Sequence, residues 1–278
     1  ILFLGVSLGG AISIRIPGFI LMGYLLLTYV LFQGVSFIKK ELTLKQIYLS
    51  SLKNLLSPCM IALGMFFIFW PYSHLLISSP EKILIHFNEV RDFSWGYSVL
   101  FEGSHYKLQD LPWYYLPKWF LITTPLVIIV GVIIFFVFLF FRPRLKKFLV
   151  QDPLKNPDKT FSLILILSSI FIPFAYSFFN KDILYEGIRH FLFFLPFFSI
   201  LAAWGFWSLM QLGSFFLVQS KMPVSRVSKL KVTYITVLIL SLYNPIRWSL
   251  ISHPHQYIYF NEILGGIPKA FKIYDMDY

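Results

Sequence analysis

Glu102, His105 and Asp110 fall in the stretch Phe101-Glu102-Gly103-Ser104-His105-Tyr106-Lys107-Leu108-Gln109-Asp110. A carboxylate and an imidazole three residues apart can exchange a proton, so acid–base chemistry is one reading of them and solvated loop residues the other. Arg189 and His190 follow Tyr185-Glu186-Gly187-Ile188 and immediately precede an apolar run. Two such cations at a lipid boundary suit a phosphate, because arginine offers a planar fork of two charge-assisted hydrogen bonds; anchoring of the helix end is the competing reading. Arg15, in Ser13-Ile14-Arg15-Ile16-Pro17-Gly18, sits where Pro and Gly stop one apolar run and restart another. It suits an anionic headgroup, or simply snorkels to the interface. His253, His255 and Gln256 make a weak metal signal, since a His-x-His pair without a neighbouring acid lacks a full ligand set. No metal site is assigned. Glycine-rich phosphate loops, HExxH, GxSxG and CxxC are absent, which sets aside the soluble enzymes that carry them. The single Cys59 lies inside an apolar run, so the chain has neither a disulfide framework nor a cysteine-based metal site.

The elements that position these residues are written in the composition. Hydrophobic residues make up 57% of the 278 positions and charged residues 13%, with a mean hydropathy of +0.71. Soluble domains run at about 45–50% apolar and about 25% charged, so a water-soluble core cannot absorb this chain. The net charge of +11 does not indicate nucleic acid, because the basic residues lie between apolar runs and form no aromatic-interleaved patch. A membrane helix needs about 20 mostly apolar residues. One partial span, 1 to about 13, and six whole ones follow, at roughly 18–38, 55–77, 119–141, 161–179, 191–212 and 232–251. The uninterrupted apolar runs exclude a barrel, and the fold class expected is an all-α polytopic membrane protein of six to seven helices.

Orientation follows from the basic residues. The connections 39–54, 142–160 and 213–231 hold fourteen of the 24 Lys and Arg but only three of the 13 acids, so they are expected on the cytoplasmic side. The opposite set carries the other ten basic residues, ten acids and all six histidines, and almost all groups capable of proton chemistry therefore face outward. Its pieces are a loop of about 78–118, expected to be ordered and to carry interfacial helices, a short turn at 180–190, and the segment from Ser252 onward. The stretch Leu111-Pro112-Trp113-Tyr114-Tyr115-Leu116-Pro117-Lys118-Trp119 reads as an aromatic belt entering a helix. Ile1 opens within an apolar run and Tyr278 closes in an aromatic, acidic one, so further chain is expected on both sides.

Four segments in order, 13–18, 111–126, Tyr185-Glu186-Gly187-Ile188-Arg189-His190 and His253-Pro254-His255-Gln256-Tyr257-Ile258-Tyr259-Phe260-Asn261-Glu262, give the chain a recognisable pattern. It resembles bacterial membrane glycosyltransferases of the dolichyl-phosphate-mannose protein mannosyltransferase type, family 39, with the GT-C fold. The resemblance spans nearly all of 1–278, read as a partial GT-C domain. It implies a multi-pass protein of the bacterial inner membrane that takes a sugar from a polyprenyl-phosphate carrier and passes it to a protein, lipid or glycan acceptor on the outer side. The partners implied are that donor, the acceptor and the bilayer, with no nucleic acid. Arg189 is the first residue expected at the carrier phosphate, with His190 and Arg15 behind it. The family's acidic motif lies in its first outer loop and has no matching residue here, so the general base is expected upstream of Ile1 and residues 1–278 alone are expected to be inactive. Glu102, His105 and Asp110 remain weaker candidates, and a divalent metal cofactor stays open. A transporter or flippase of lipid-linked saccharides is the runner-up, set lower by the nearly charge-free helix centres and the lack of an internal repeat. A non-catalytic membrane subunit is compatible with every residue present.

Overall fold

The computed structural model describes residues 1–14, 16–38, 43–70, 98–145, 157–179, 187–256 and 258–276, together with positions 73, 78, 79, 81, 82, 85 and 184. The chain divides into two compact units, Ile1–Ser94 with Asn156–Ser169, and Trp95–Lys155 with Ile170–Tyr278.

In the first unit, α1 (Leu2–Ile14) is followed by a 3-10 turn (Ile16–Phe19) and α2 (Ile20–Ile38). Next come α3 (Leu44–Ser51), a π-helical turn (Leu52–Leu56) and α4 (Ser57–Phe69), which together form one helical stretch of 26 residues. Thr43 starts this stretch by a capping box: its hydroxyl accepts from the Gln46 N–H, while Gln46 Oε1 accepts from the Thr43 N–H at 2.8 Å. The span therefore begins eleven residues before the expected position 55. Lys45 and Lys53 place 39–54 among the expected connections, yet lysine has good helix propensity and the cap decides the start. The helix ends at Trp70, extended at φ −87° and ψ 118° as a residue preceding proline prefers to be. α1 packs on α4 through Gly5 and Gly9, one turn apart. A Cβ at Gly5 would lie 2.7 Å from Ile61 Cβ, so the two helices approach as closely as small-xxx-small pairs allow. Leu8, Ile12, Ala62 and Phe66 form the core between them.

In the second unit, β1 (Ser98–Phe101) and β2 (Ser104–Lys107) form an antiparallel hairpin. Its two turn residues, Glu102 and Gly103, both take positive φ (54° and 79°), as a two-residue turn between right-twisted strands requires. The hairpin adds strand to an expected all-α fold, within the 78–118 loop that was expected to be ordered and to carry interfacial helices. Among the described residues that loop holds helical positions at Ser78, Glu81, Lys82 and Ile85, the hairpin, a 3-10 turn (Leu108–Asp110) and the start of α5 (Tyr115–Thr123). α6 (Leu126–Leu145) follows after Thr124-Pro125, where the expected single helix from 119 to 141 is broken by proline. α7 (Pro157–Phe179) comes next in the chain, its residues to Ser169 belonging to the first unit and those from Ile170 to the second, then a 3-10 turn (Arg189–Phe191), α8 (Phe194–Gln219), α9 (Val224–Ser241), α10 (Tyr243–Ile251) and the short α11 (Ile267–Ala270). α6 and α8 make the most extensive helix pairing, crossing where Gly131 meets Ala202 and Gly205. Only 220–223 join α8 to α9, so the expected connection 213–231 is mostly helix. Arg226, Lys229 and Lys231 lie on the first turns of α9, since exposed basic side chains extend a helix as readily as they solvate a loop.

The protein is thus mostly helical. Six described stretches, Ile20–Ile38, Leu44–Phe69, Leu126–Leu145, Lys159–Phe179, Phe194–Gln219 and Val224–Ile251, are long and apolar enough to cross a membrane. By length and composition this is a multi-pass membrane protein. Large apolar side chains such as Phe140, Val237 and Leu250 are accordingly exposed along the helices, where lipid rather than water would meet them.

Candidate functional site

The second unit gathers its polar and aromatic residues around α5. Tyr115, Trp119 and Ile122 recur at helical spacing and are buried, which turns one face of α5 toward the hairpin and the C-terminal segment. Phe101 lies 4.8 Å from Tyr115 and 5.6 Å from Tyr274, while Trp119 lies 5.4 Å from Tyr274 and 5.8 Å from Phe260. The C-terminal segment docks on the hairpin through its backbone. The Gly103 N–H donates to Ile273 C=O at 2.9 Å, the Asp275 N–H to Leu100 C=O at 3.0 Å, and the Leu100 N–H to Asp275 Oδ2 at 2.7 Å.

Glu102, at the hairpin tip, is engaged through both oxygens. Lys118 Nζ donates to Oε1 and the Tyr114 hydroxyl to Oε2 at 3.0 Å. The Lys118 hydrogen bond holds the Glu102 carboxyl below the usual carboxylate range, and Glu102 in turn raises Lys118 and Tyr114. An acid already stabilised as its anion is a poor proton acceptor. His105 stands on β2 with Nδ1 3.4 Å from the Ser98 hydroxyl, and Asp110 is exposed at the end of its 3-10 turn. In this arrangement Glu102 ties the hairpin tip to α5 and His105 pairs with the opposite strand.

Arg189 and His190 open the 3-10 turn before α8, with Arg189 exposed and His190 half-buried. Gly187, two residues earlier, has φ +61°, and a Cβ there would lie 3.3 Å from the Trp119 indole. Just after the turn, Phe191 is buried 5.5 Å from Phe194, which stacks on Phe120 of α5 at 5.4 Å. The turn that carries Arg189 is thus pinned to α5 on both sides. Tyr185, Glu186, Tyr257 and Arg15 lie outside the described residues.

Sequence reasoning missed Asn261. Its side chain is fully buried, and Nδ2 donates to Leu121 C=O at 2.6 Å and Thr124 C=O at 2.9 Å. Its backbone N–H donates to Ile122 C=O at 2.8 Å. One residue therefore satisfies three carbonyls at the C-terminal end of α5, where helix geometry leaves them without intrahelical partners. On the other side of this segment is a groove of about 420 Å³ between α6, α8, α9 and α10. Its walls are apolar, and one end carries Ser241, Asn244, Tyr259 and Glu262. Asn244 Nδ2 donates to Glu262 Oε1 at 3.0 Å. The Tyr259 hydroxyl is buried with no hydrogen-bond partner among the described residues. Burial and the nearby Glu262 charge push its pKa up to about 12.

His253 and Gln256 pair with each other, Gln256 Nε2 lying 2.6 Å from His253 Nδ1. Among the described residues no three His, Cys, Asp or Glu side chains converge on a point that could hold a metal ion. The structure brings segments 111–126, 187–191 and 258–262 into one aromatic nest, with Trp119 at its centre. Comparison with protein-family models, with curated proteins and with solved structures finds no match to this chain.

Proposed function

We propose that this protein belongs to a membrane glycosyltransferase system of the inner membrane that moves a sugar from a polyprenyl-phosphate carrier to an outer-face acceptor. The reading rests on the four-segment resemblance, and one observation supports it. Gly187 seats on Trp119, so the Arg189-bearing turn and the 111–126 segment, far apart in sequence, form one structural unit at the end of an apolar helix. In this reading Arg189 meets the carrier phosphate and the apolar helices beside it hold the carrier chain.

In such a reaction the acceptor hydroxyl attacks the anomeric carbon, a carboxylate takes its proton, and the departing lipid phosphate needs cationic stabilisation. Glu102 is a weak candidate for the proton acceptor because Lys118 and Tyr114 already hold it. The test is binding of a radiolabelled polyprenyl phosphate to the purified protein, which needs no proton acceptor. A charge-assisted bond is worth about 1.5–3 kcal/mol, so Arg189→Ala should weaken binding by at least about tenfold to a hundredfold, and Arg189→Lys should restore part of it. Unchanged affinity in a folded Arg189→Ala protein would refute the phosphate role. Transfer of labelled sugar from the carrier by the protein is the matching activity assay.

A further inference from the structure

The end of the second unit away from the Arg189 turn gathers cations from three helices. Leu126, Val127 and Val130 share one groove with Val237, Leu238 and Ser241, so α6 starts level with the end of α9 and the two run antiparallel. α9 in turn folds back along α8, where the Tyr234 hydroxyl donates to Phe206 C=O at 3.0 Å. The C-terminal ends of α6 and α8 and the N-terminal end of α9 therefore meet. Arg142 and Arg144 come from α6, Lys221 from the turn after α8, and Arg226, Lys229 and Lys231 from α9. The described acids of this unit, Glu102, Asp110, Glu262 and Asp275, lie at the other end, on the hairpin, the 3-10 turn after it and the C-terminal segment. None of Lys221, Arg226, Lys229 and Lys231 has an ion-pair partner among the described residues.

Two features set these charges against local preference. Lys221 follows the C-cap of α8 in a Schellman turn, in which the Met222 N–H donates to Leu217 C=O at 3.3 Å and the Lys221 N–H to Val218 C=O at 3.0 Å. Its φ is +53°, a left-handed position that glycine takes freely and lysine only with strain. Cations near a helix N-terminus also face the positive end of the macrodipole, and α9 has no acid in its first turn to offset them. An anion from outside the chain relieves that repulsion. Val218, Met222 and Val224 stand exposed among the cations, and apolar side chains interleaved with basic ones suit a lipid headgroup rather than a free anion. We propose that this end binds an anionic phospholipid, its phosphate held by Lys221, Arg226 and Lys229 and its acyl chains lying along the exposed apolar residues of α8 and α9. Arg226 and Lys229, three residues apart, share one face of α9. The 26-residue length of α8, about 39 Å, separates this end from the Arg189 turn, so the site is independent of the carrier site proposed there.

The experiment measures binding of radiolabelled dioleoyl phosphatidylglycerol to the purified protein in micelles of a neutral detergent. The competitors are dioleoyl phosphatidylcholine, with the same chains and no net charge, and glycerol 3-phosphate, with the phosphate and no chains. Phosphatidylglycerol should bind saturably and more weakly as salt is raised. Phosphatidylcholine should compete at least about tenfold less well than unlabelled phosphatidylglycerol, and glycerol 3-phosphate should not compete. Arg226→Gln and Lys229→Gln should each weaken binding by about fivefold, the worth of one basic residue beside an anionic headgroup. Lys221→Gly should weaken it as much, yet its thermal unfolding midpoint should be no lower than the wild type's, because glycine suits the turn. That contrast separates a lost ligand contact from a lost fold. Lys269→Gln, which removes an exposed cation of the other end, should bind as the wild type does. Equal competition by phosphatidylcholine, displacement by glycerol 3-phosphate, or wild-type affinity in all three variants would each overturn the proposal. So would an equal loss in Lys269→Gln, or tighter binding of polyglutamate, which would assign this end to an acidic protein instead.

Discussion

At the scale of single residues, Asn261 and Glu102 carry the clearest consequences. Asn261→Ala leaves the Leu121 and Thr124 carbonyls at the end of α5, one part-buried and one buried, without their side-chain donor, and each unsatisfied buried group costs about 1–3 kcal/mol. A loss of roughly 2–5 kcal/mol is expected, read as a fall in the thermal unfolding midpoint in detergent. An unchanged midpoint would mean that α5 is capped by other means. Glu102 makes the hairpin sensitive to acid. Its pKa is lower in the folded protein than in the unfolded chain, so its contribution is fully present above the ordinary carboxylate pKa. That contribution is lost as pH falls through the depressed folded value. Amide protection factors at 98–107, exchange rates corrected for the pH dependence of intrinsic exchange, should fall from neutral to acidic pH, and Glu102→Gln should flatten the profile. The pair is partly exposed, so its effect is confined to the hairpin and is screened by salt.

At the scale of elements, close helix approach decides where substitutions are tolerated. Gly131 on α6 faces α8 so closely that a Cβ would lie 2.6 Å from Ala202 Cβ and 2.8 Å from its Cα, which is backbone and cannot swing away. Gly131→Leu should therefore push the two helices apart and cost about 1–3 kcal/mol or more. Gly213, on α8 as well, has open space around its Cα, and Gly213→Ala should be neutral or stabilising by up to about 1 kcal/mol. Unfolding midpoints of the two variants side by side test this. Equal behaviour would show that α6 and α8 are not packed as described.

At the scale of the whole molecule, the prediction concerns the sidedness of the chain. Clusters of Lys and Arg next to membrane helices are retained on the cytoplasmic side, and 39–54, 142–160 and 213–231 hold fourteen of 24 basic residues. Cysteines introduced at positions 146 and 229, in a chain whose Cys59 has been replaced, should resist impermeant maleimide in intact cells. A cysteine at Trp113, an exposed side chain of the opposite set, should react. Labelling at 146 or 229 without cell lysis would overturn the topology.

The sequence by itself determined that the chain is helical and membrane-spanning, because a run of about 20 apolar residues has no other way to satisfy its backbone in lipid. It also marked Arg189 as a cation beside an apolar run and the aromatic belt ending at Trp119, while Asn261 carried no signal of its own. Helix ends were less legible. Lys45 and Lys53 look like a loop by hydropathy, yet Thr43 starts a helix ahead of them, while Thr124-Pro125 divides what hydropathy reads as one span. Only the tertiary structure decided the rest. Asn261 caps a helix about 140 positions away in sequence, Asp275 pairs with Leu100, and Tyr259 and Glu262 share a groove wall with α6 and α9. Each depends on a partner brought near by packing of whole elements, and local pattern holds no record of which distant backbone group will be left needing a hydrogen bond.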